Sequence, residues 1–283
     1  MSETTRRGFI RTAGAGVAAV SAAVPMFGCA AKETGISENK SAEFKLGMAS
    51  YTFRNFGVDE TIAMTKKLGL GRIAFKDYHL AMDSTESEIK AVASKVRDAG
   101  LTLYGCGVVY MSNESEVHRA FDYAKAADMQ IIIGVPEHNL LGLVEQKVRE
   151  YDIKLAIHNH GPGDERYPSP ESAYEKVKDL DPRMGLCIDV GHAQRIGIDP
   201  SESAERFSDR MHDVHIKDVS ESTEKGTTVE IGRGVIDIPK FLRTLIRLNY
   251  TGTLALEYEK DADDPYPGSA ESIGYLKGVL SVI

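Results

Sequence analysis

A chain of 283 residues, 42% hydrophobic and 27% charged, has the make-up of a soluble globular protein and room for one large domain or two small ones. Its formal charge is −8, and it becomes −10 when residues 1–28, with three arginines and one glutamate, are set aside. Such an acidic chain, without a basic run after residue 28, argues against nucleic acid, anionic membrane or a polyphosphorylated substrate as partner.

The chain opens with Thr5-Arg6-Arg7-Gly8-Phe9-Ile10-Arg11, a twin arginine ahead of a small-residue apolar run from Ala13 to Val24. That run is too short and too rich in Gly and Ala for a membrane-spanning helix. Residues 1–28 therefore read as a bacterial export signal, which predicts an exported, periplasmic protein. The signal closes on Met26-Phe27-Gly28-Cys29, which resembles a loose lipobox of bacterial lipoproteins. The resemblance implies a lipid anchor at Cys29, the sole membrane attachment expected. Residues 29–43 are small and polar without apolar period and read as a flexible tether. Cys106 and Cys187 each sit in an apolar, strand-like run, so buried free thiols are expected rather than a disulfide framework.

Beyond the tether, β-rich runs recur at Leu46–Tyr51, Arg72–Lys76, Leu101–Cys106, Gln130–Val135, Lys154–Asn159, Gly185–Asp189, Asp213–Lys217 and Thr253–Tyr258. Amphipathic stretches separate them. Ile89, Val92, Ala93 and Val96 form one helical stripe, and Phe241, Leu242, Leu245 and Ile246 another. Asp83-Ser84-Thr85 opens the first of these helices and Asp98-Ala99-Gly100 closes it. Eight strand–helix units over residues 44–283 predict a single-domain α/β fold, a closed (β/α)₈ TIM barrel. A doubly wound sheet is disfavoured, because Tyr51-Thr-Phe-Arg-Asn-Phe-Gly57 lacks the glycines of a dinucleotide loop.

A barrel carries its chemistry at the C-terminal ends of its strands. Those ends read Glu137-His138, His158-Asn159-His160, Asp189-Val-Gly-His192, His215-Ile-Lys217-Asp218 and Glu257-Tyr-Glu259. Alternation along a strand puts His158 and His160 on one face with Asn159 on the other; His215 pairs with Lys217, and Glu257 with Glu259. Imidazoles and carboxylates converging from several strands make a mixed N/O site for one divalent ion: Zn, Mn, Co or Mg. Lys217 is expected to face substrate and Glu259 to sit at the solvated rim, while His79, His118 and His212 read as structural or exposed.

Four segments carry a family resemblance: Gly185-Leu-Cys-Ile-Asp189-Val-Gly-His192, Val214-His215-Ile-Lys217-Asp218, Gly232-Arg233-Gly-Val-Ile-Asp237 and Ala255-Leu-Glu257-Tyr-Glu259. Together they resemble the xylose isomerase-like barrel superfamily of sugar isomerases and epimerases, which includes type IV apurinic endonucleases. The resemblance covers residues 44–283 and implies a metal held by Asp189, His215 and Glu257. It also implies substrate contact at His192, with Asn159, Lys217 and Arg233 as further substrate-binding candidates. The fifth strand departs from the family, with Leu155-Ala-Ile-His158-Asn159-His160 where relatives often read Leu-Glu-Asn-His. His158 thus becomes the expected fourth ligand. The second acid/base beside Glu257 then falls to His160 or Glu137.

The expected activity is metal-dependent isomerisation or epimerisation of a free sugar or keto-sugar through an enediolate. A lyase or hydrolase of keto-glycosides on the same metal site is the alternative, and a non-enzymatic sugar-binding lipoprotein is another. Phosphodiester cleavage is disfavoured, because Ile231-Gly-Arg-Gly234 replaces the Asp-x-His of the endonuclease branch. The sequence leaves the sugar and the oligomeric state open.

Overall fold

A computed structural model describes residues 42–283. The export signal, Cys29 and all but the last two residues of the expected tether lie outside them. Eight parallel strands close into a barrel: β1 (Lys45–Ala49), β2 (Arg72–Phe75), β3 (Thr102–Met111), β4 (Ile131–Pro136), β5 (Lys154–His158), β6 (Met184–Asp189), β7 (Met211–Ile216) and β10 (Thr253–Leu256). Between β7 and β10 the chain inserts an antiparallel hairpin of two short strands, β8 (Asp218–Val219) and β9 (Thr228–Val229). The expected (β/α)₈ barrel is thus the observed fold. β4 and β6 are buried at every position, as strands covered on both faces must be.

The helices form where the apolar stripes place them. α2 (Glu86–Asp98) buries Ile89, Ala93 and Val96. Its Thr85 hydroxyl caps the N-terminus by accepting from the Glu88 N–H. α8 (Ile238–Arg247) buries Phe241, Leu242 and Leu245, each contributing about 1.5–3 kcal/mol. Cys106 and Cys187 are buried and free. β3 runs five residues past the expected end, because its pairing with β4 shifts register between Cys106 and Val109 and then resumes to Met111. None of the described helices is long and apolar enough to cross a membrane.

Candidate metal centre and substrate cavity

Strand register assembles the centre. His158 ends β5, Asp189 ends β6, His215 stands next to last in β7, and Glu257 follows β10. Asp189 and His215 are direct neighbours across the sheet, and the Glu257 N–H donates to the Ile216 carbonyl at 3.1 Å. His158 Nε2 lies 3.2 Å from His215 Nδ1 and 3.3 Å from Asp189 Oδ2. His215 Nδ1 lies 3.1 Å from Glu257 Oε2. One donor atom from each of the four falls within 4.8 Å of the others, and all four residues are buried.

Lys217 shares this centre rather than a free substrate surface. It is 2% exposed, and its ammonium lies 2.9 Å from Asp189 Oδ2 and 2.8 Å from Glu257 Oε2 while also pairing with Glu259. Glycine at 191 permits this, since a Cβ there would stand 2.5 Å from Lys217 Cγ. Glu259, expected at the rim, is drawn in by that ammonium. Three carboxylates around one ammonium leave two negative charges, which a single divalent cation would balance. Two imidazole nitrogens and two carboxylate oxygens also match the donor chemistry of such an ion. The residues fit the metal.

The electrostatics act differently on the four groups. At His215 burial would lower the pKa, but the Glu257, Asp213 and Asp189 carboxylates outweigh it and hold it above the usual value. Burial pushes His158 down to about 3, leaving a neutral imidazole at ordinary pH. Burial alone would raise both acids. Attraction to His192 and Lys217 outweighs it at Asp189, and attraction to His215 and Lys217 at Glu257, so both stay well below the usual carboxylate range. Underneath, Asp213 Oδ2 lies 3.9 Å from His215 Nε2 and 3.6 Å from Cys187 Sγ. Asn159 braces the centre from the side: its amide accepts from the Asp189 N–H at 2.9 Å and donates to the Asp189 carbonyl at 3.2 Å.

A cavity of about 220 Å³ opens onto two of these donors, His158 and Glu257, with Asp189 and His215 buried behind them. His158, His160, His192 and Glu257 line it, as do Tyr51, Lys76, Tyr110 and Glu259. His160 Nε2 lies 3.0 Å from the Tyr110 hydroxyl, with the rings stacked at 5.6 Å, and its Nδ1 lies 3.6 Å from Asp164 Oδ2. Burial, reinforced by His192, holds His160 below its usual value. His192 is positioned from two sides. Its N–H donates to Asp189 Oδ1 at 2.8 Å, capping α6 (Val190–Arg195), and Gly161, at φ +77°, approaches so closely that a Cβ would meet the His192 carbonyl at 2.8 Å.

Three candidates do not reach the cavity, the first being Asn159, expected to bind substrate but buried with its amide bonded to the Asp189 backbone. Glu137 is ion-paired with Arg166 and does not line the cavity. Arg233 is 62% exposed and forms a two-point pair with Glu271 at 2.5 and 2.7 Å. Tyr51, Lys76 and Tyr110 were missed. Tyr51 and Lys76 end the first two expected strands, where the rule applied to the later strands would have found them; Tyr110 lies in the part of β3 beyond its expected end at Cys106.

The sequence profile of the xylose isomerase-like TIM barrel family matches residues 137–279. The chain belongs to that family. It is 27% identical over 145 residues to the rhizopine catabolism protein MocC of Rhizobium meliloti, which covers 46% of this chain and 44% of the relative. It is 28% identical over 135 residues to the inosose dehydratase of Geobacillus kaustophilus, covering 42% and 43% respectively. The chain thus aligns with less than half the length of these curated relatives. Among solved barrels of this kind, an uncharacterised protein from Parabacteroides distasonis superposes with a TM-score of 0.66 at 26% identity, over 84% of this chain and 99% of that one.

Proposed function

We propose that this protein is a divalent-metal-dependent enzyme that enolises a keto-sugar or a similar cyclic polyol ketone. The observation that carries the reading is the buried donor set of His158, Asp189, His215 and Glu257, which reaches, through His158 and Glu257, a small cavity walled by proton-exchanging side chains. A divalent ion held there would polarise the substrate carbonyl and stabilise the oxyanion that enolisation creates. Glu257, ionised and at the cavity floor, takes the proton from the carbon beside the carbonyl. His160, joined to Tyr110, gives a proton back from another wall. Return to carbon completes isomerisation or epimerisation.

A second outcome is favoured by one observation: imidazole stands where a second carboxylate base would serve a symmetrical exchange. With a carboxylate and an imidazole–phenol pair facing the same ring, the C–H electrons can form a C=C bond while the C–O bond β to the ketone breaks. The departing oxygen then takes its proton from the His160–Tyr110 pair. The dehydratase name of one relative points the same way.

The test combines metal content with product analysis. Asp189→Ala and His215→Ala should each lose the ion and all turnover of keto-sugars while the barrel stays folded. Full metal occupancy in both variants would refute the centre. We further propose that residues 1–28 export the protein, with Cys29 as its lipid anchor. Arg6→Lys combined with Arg7→Lys should hold the precursor in the cytoplasm, and Cys29→Ala should release the mature protein from membranes. Normal fractionation of both would contradict this.

A further inference from the structure

A second cavity, of about 410 Å³, lies beside the first and shares His192 and Glu259 with it. Its outer wall is the β8–β9 hairpin, which contributes Gly226, Thr227 and Thr228. At about 220 Å³, the cavity on the metal donors is smaller than the roughly 300–1,000 Å³ typical of small-molecule sites; the pair of cavities together falls inside that range. The wall between them is made of polar side chains.

Arg195 enters the second cavity from α6. Its Nη2 donates to the Glu224 carbonyl at 2.7 Å, and its Nη1 lies 3.5 Å from His192 Nδ1. Its Nε is buried without a partner, and no carboxylate pairs with this guanidinium among the described residues. Gly226 lets the hairpin close against it, since a Cβ there would meet Arg195 Cγ at 3.2 Å. A guanidinium in a cavity wall without a carboxylate partner is a ready hydrogen-bond donor to an oxygen-bearing ligand.

We propose that this cavity is a second substrate subsite, built for an oxygen-rich group, such as another sugar ring, bonded to the reacting keto-sugar. The proposal rests on the enolising site described above and names its substrate class: keto-glycosides rather than free keto-sugars. Arg195 and Thr228 are its anchors. Binding energy gathered from the second ring then holds the first ring in register on the metal donors.

Calorimetry on the metal-loaded protein with 3-ketoglucose and 3-ketosucrose as probes tests this. The wild type should bind 3-ketosucrose at least tenfold more tightly. Thr228→Trp, which fills the cavity, and Arg195→Met, which removes its donors, should each cut affinity for 3-ketosucrose at least ten times more than for 3-ketoglucose. Unchanged thermal melting would show that both variants remain folded. Equal affinity for the two probes, or equal loss on both in the variants, overturns the subsite. Product analysis on the same samples separates the two claims: a preserved binding gap without turnover would sink the enolisation reading and leave the subsite standing.

Discussion

Lys217 holds its proton because Asp189, Glu257 and Glu259 outweigh the burial that would otherwise strip it. Replacing it by Met would leave two buried carboxylates facing each other. Removing one member of such a buried group costs about 3–5 kcal/mol. Lys217→Met should therefore melt well below wild type in chelator and recover much of the difference when a divalent ion is supplied; equal melting of the two in chelator would refute the role. His160→Ala should keep its ion and lose turnover by about 10²–10⁴-fold. An ion lost with that variant would make His160 a ligand instead. At this scale the sequence was legible where a side chain's placement follows from its strand position, as for Asp189, His215 and Glu257, which the fold brings together. It was opaque where the role depends on a partner far along the chain. Glu137 and Arg233 read as free until the fold set Arg166 and Glu271 against them.

Of the elements, β5 sets this chain apart from the pattern its family resemblance led us to expect. Its last residue, His158, stands in the candidate donor set where relatives often carry a carboxylate. His158→Glu should retain the ion, since a carboxylate still coordinates, while altering the rate or the product made from a keto-sugar. Wild-type rate and product in that variant would mean the strand has no say in the chemistry. Helices α2 and α8 were legible because a buried stripe leaves a period of about 3.6 residues. The hairpin was not, since strands of two residues carry no period, and the later part of β3 was hidden by a register shift that no local pattern announces.

Across the whole molecule, eight alternating strand and helix signals were enough to specify closure, because parallel strands need long crossovers and a right-handed path. The two mouths then diverge in character. At the mouth opposite the metal centre, His212 packs on Gly185 and contacts the Pro182 carbonyl at 3.0 Å. Burial, aided by the charge of Lys154, pushes it down to about 4. Its unfolded counterpart takes a proton near pH 6.5, so stability that is fully present above that pH is lost as pH falls towards 4. His212→Gln should lose less stability than wild type between pH 7 and 5, by up to about 2 kcal/mol, in urea titrations; parallel losses would refute the assignment. The internal ammonium of Lys217 also bears on the order of assembly. In many metal sites the ion must arrive before the chain can close over its own charges. Here a resident cation already quiets two of the donor carboxylates, so the polypeptide can reach its final shape first and load afterwards, wherever in the cell the ion is supplied.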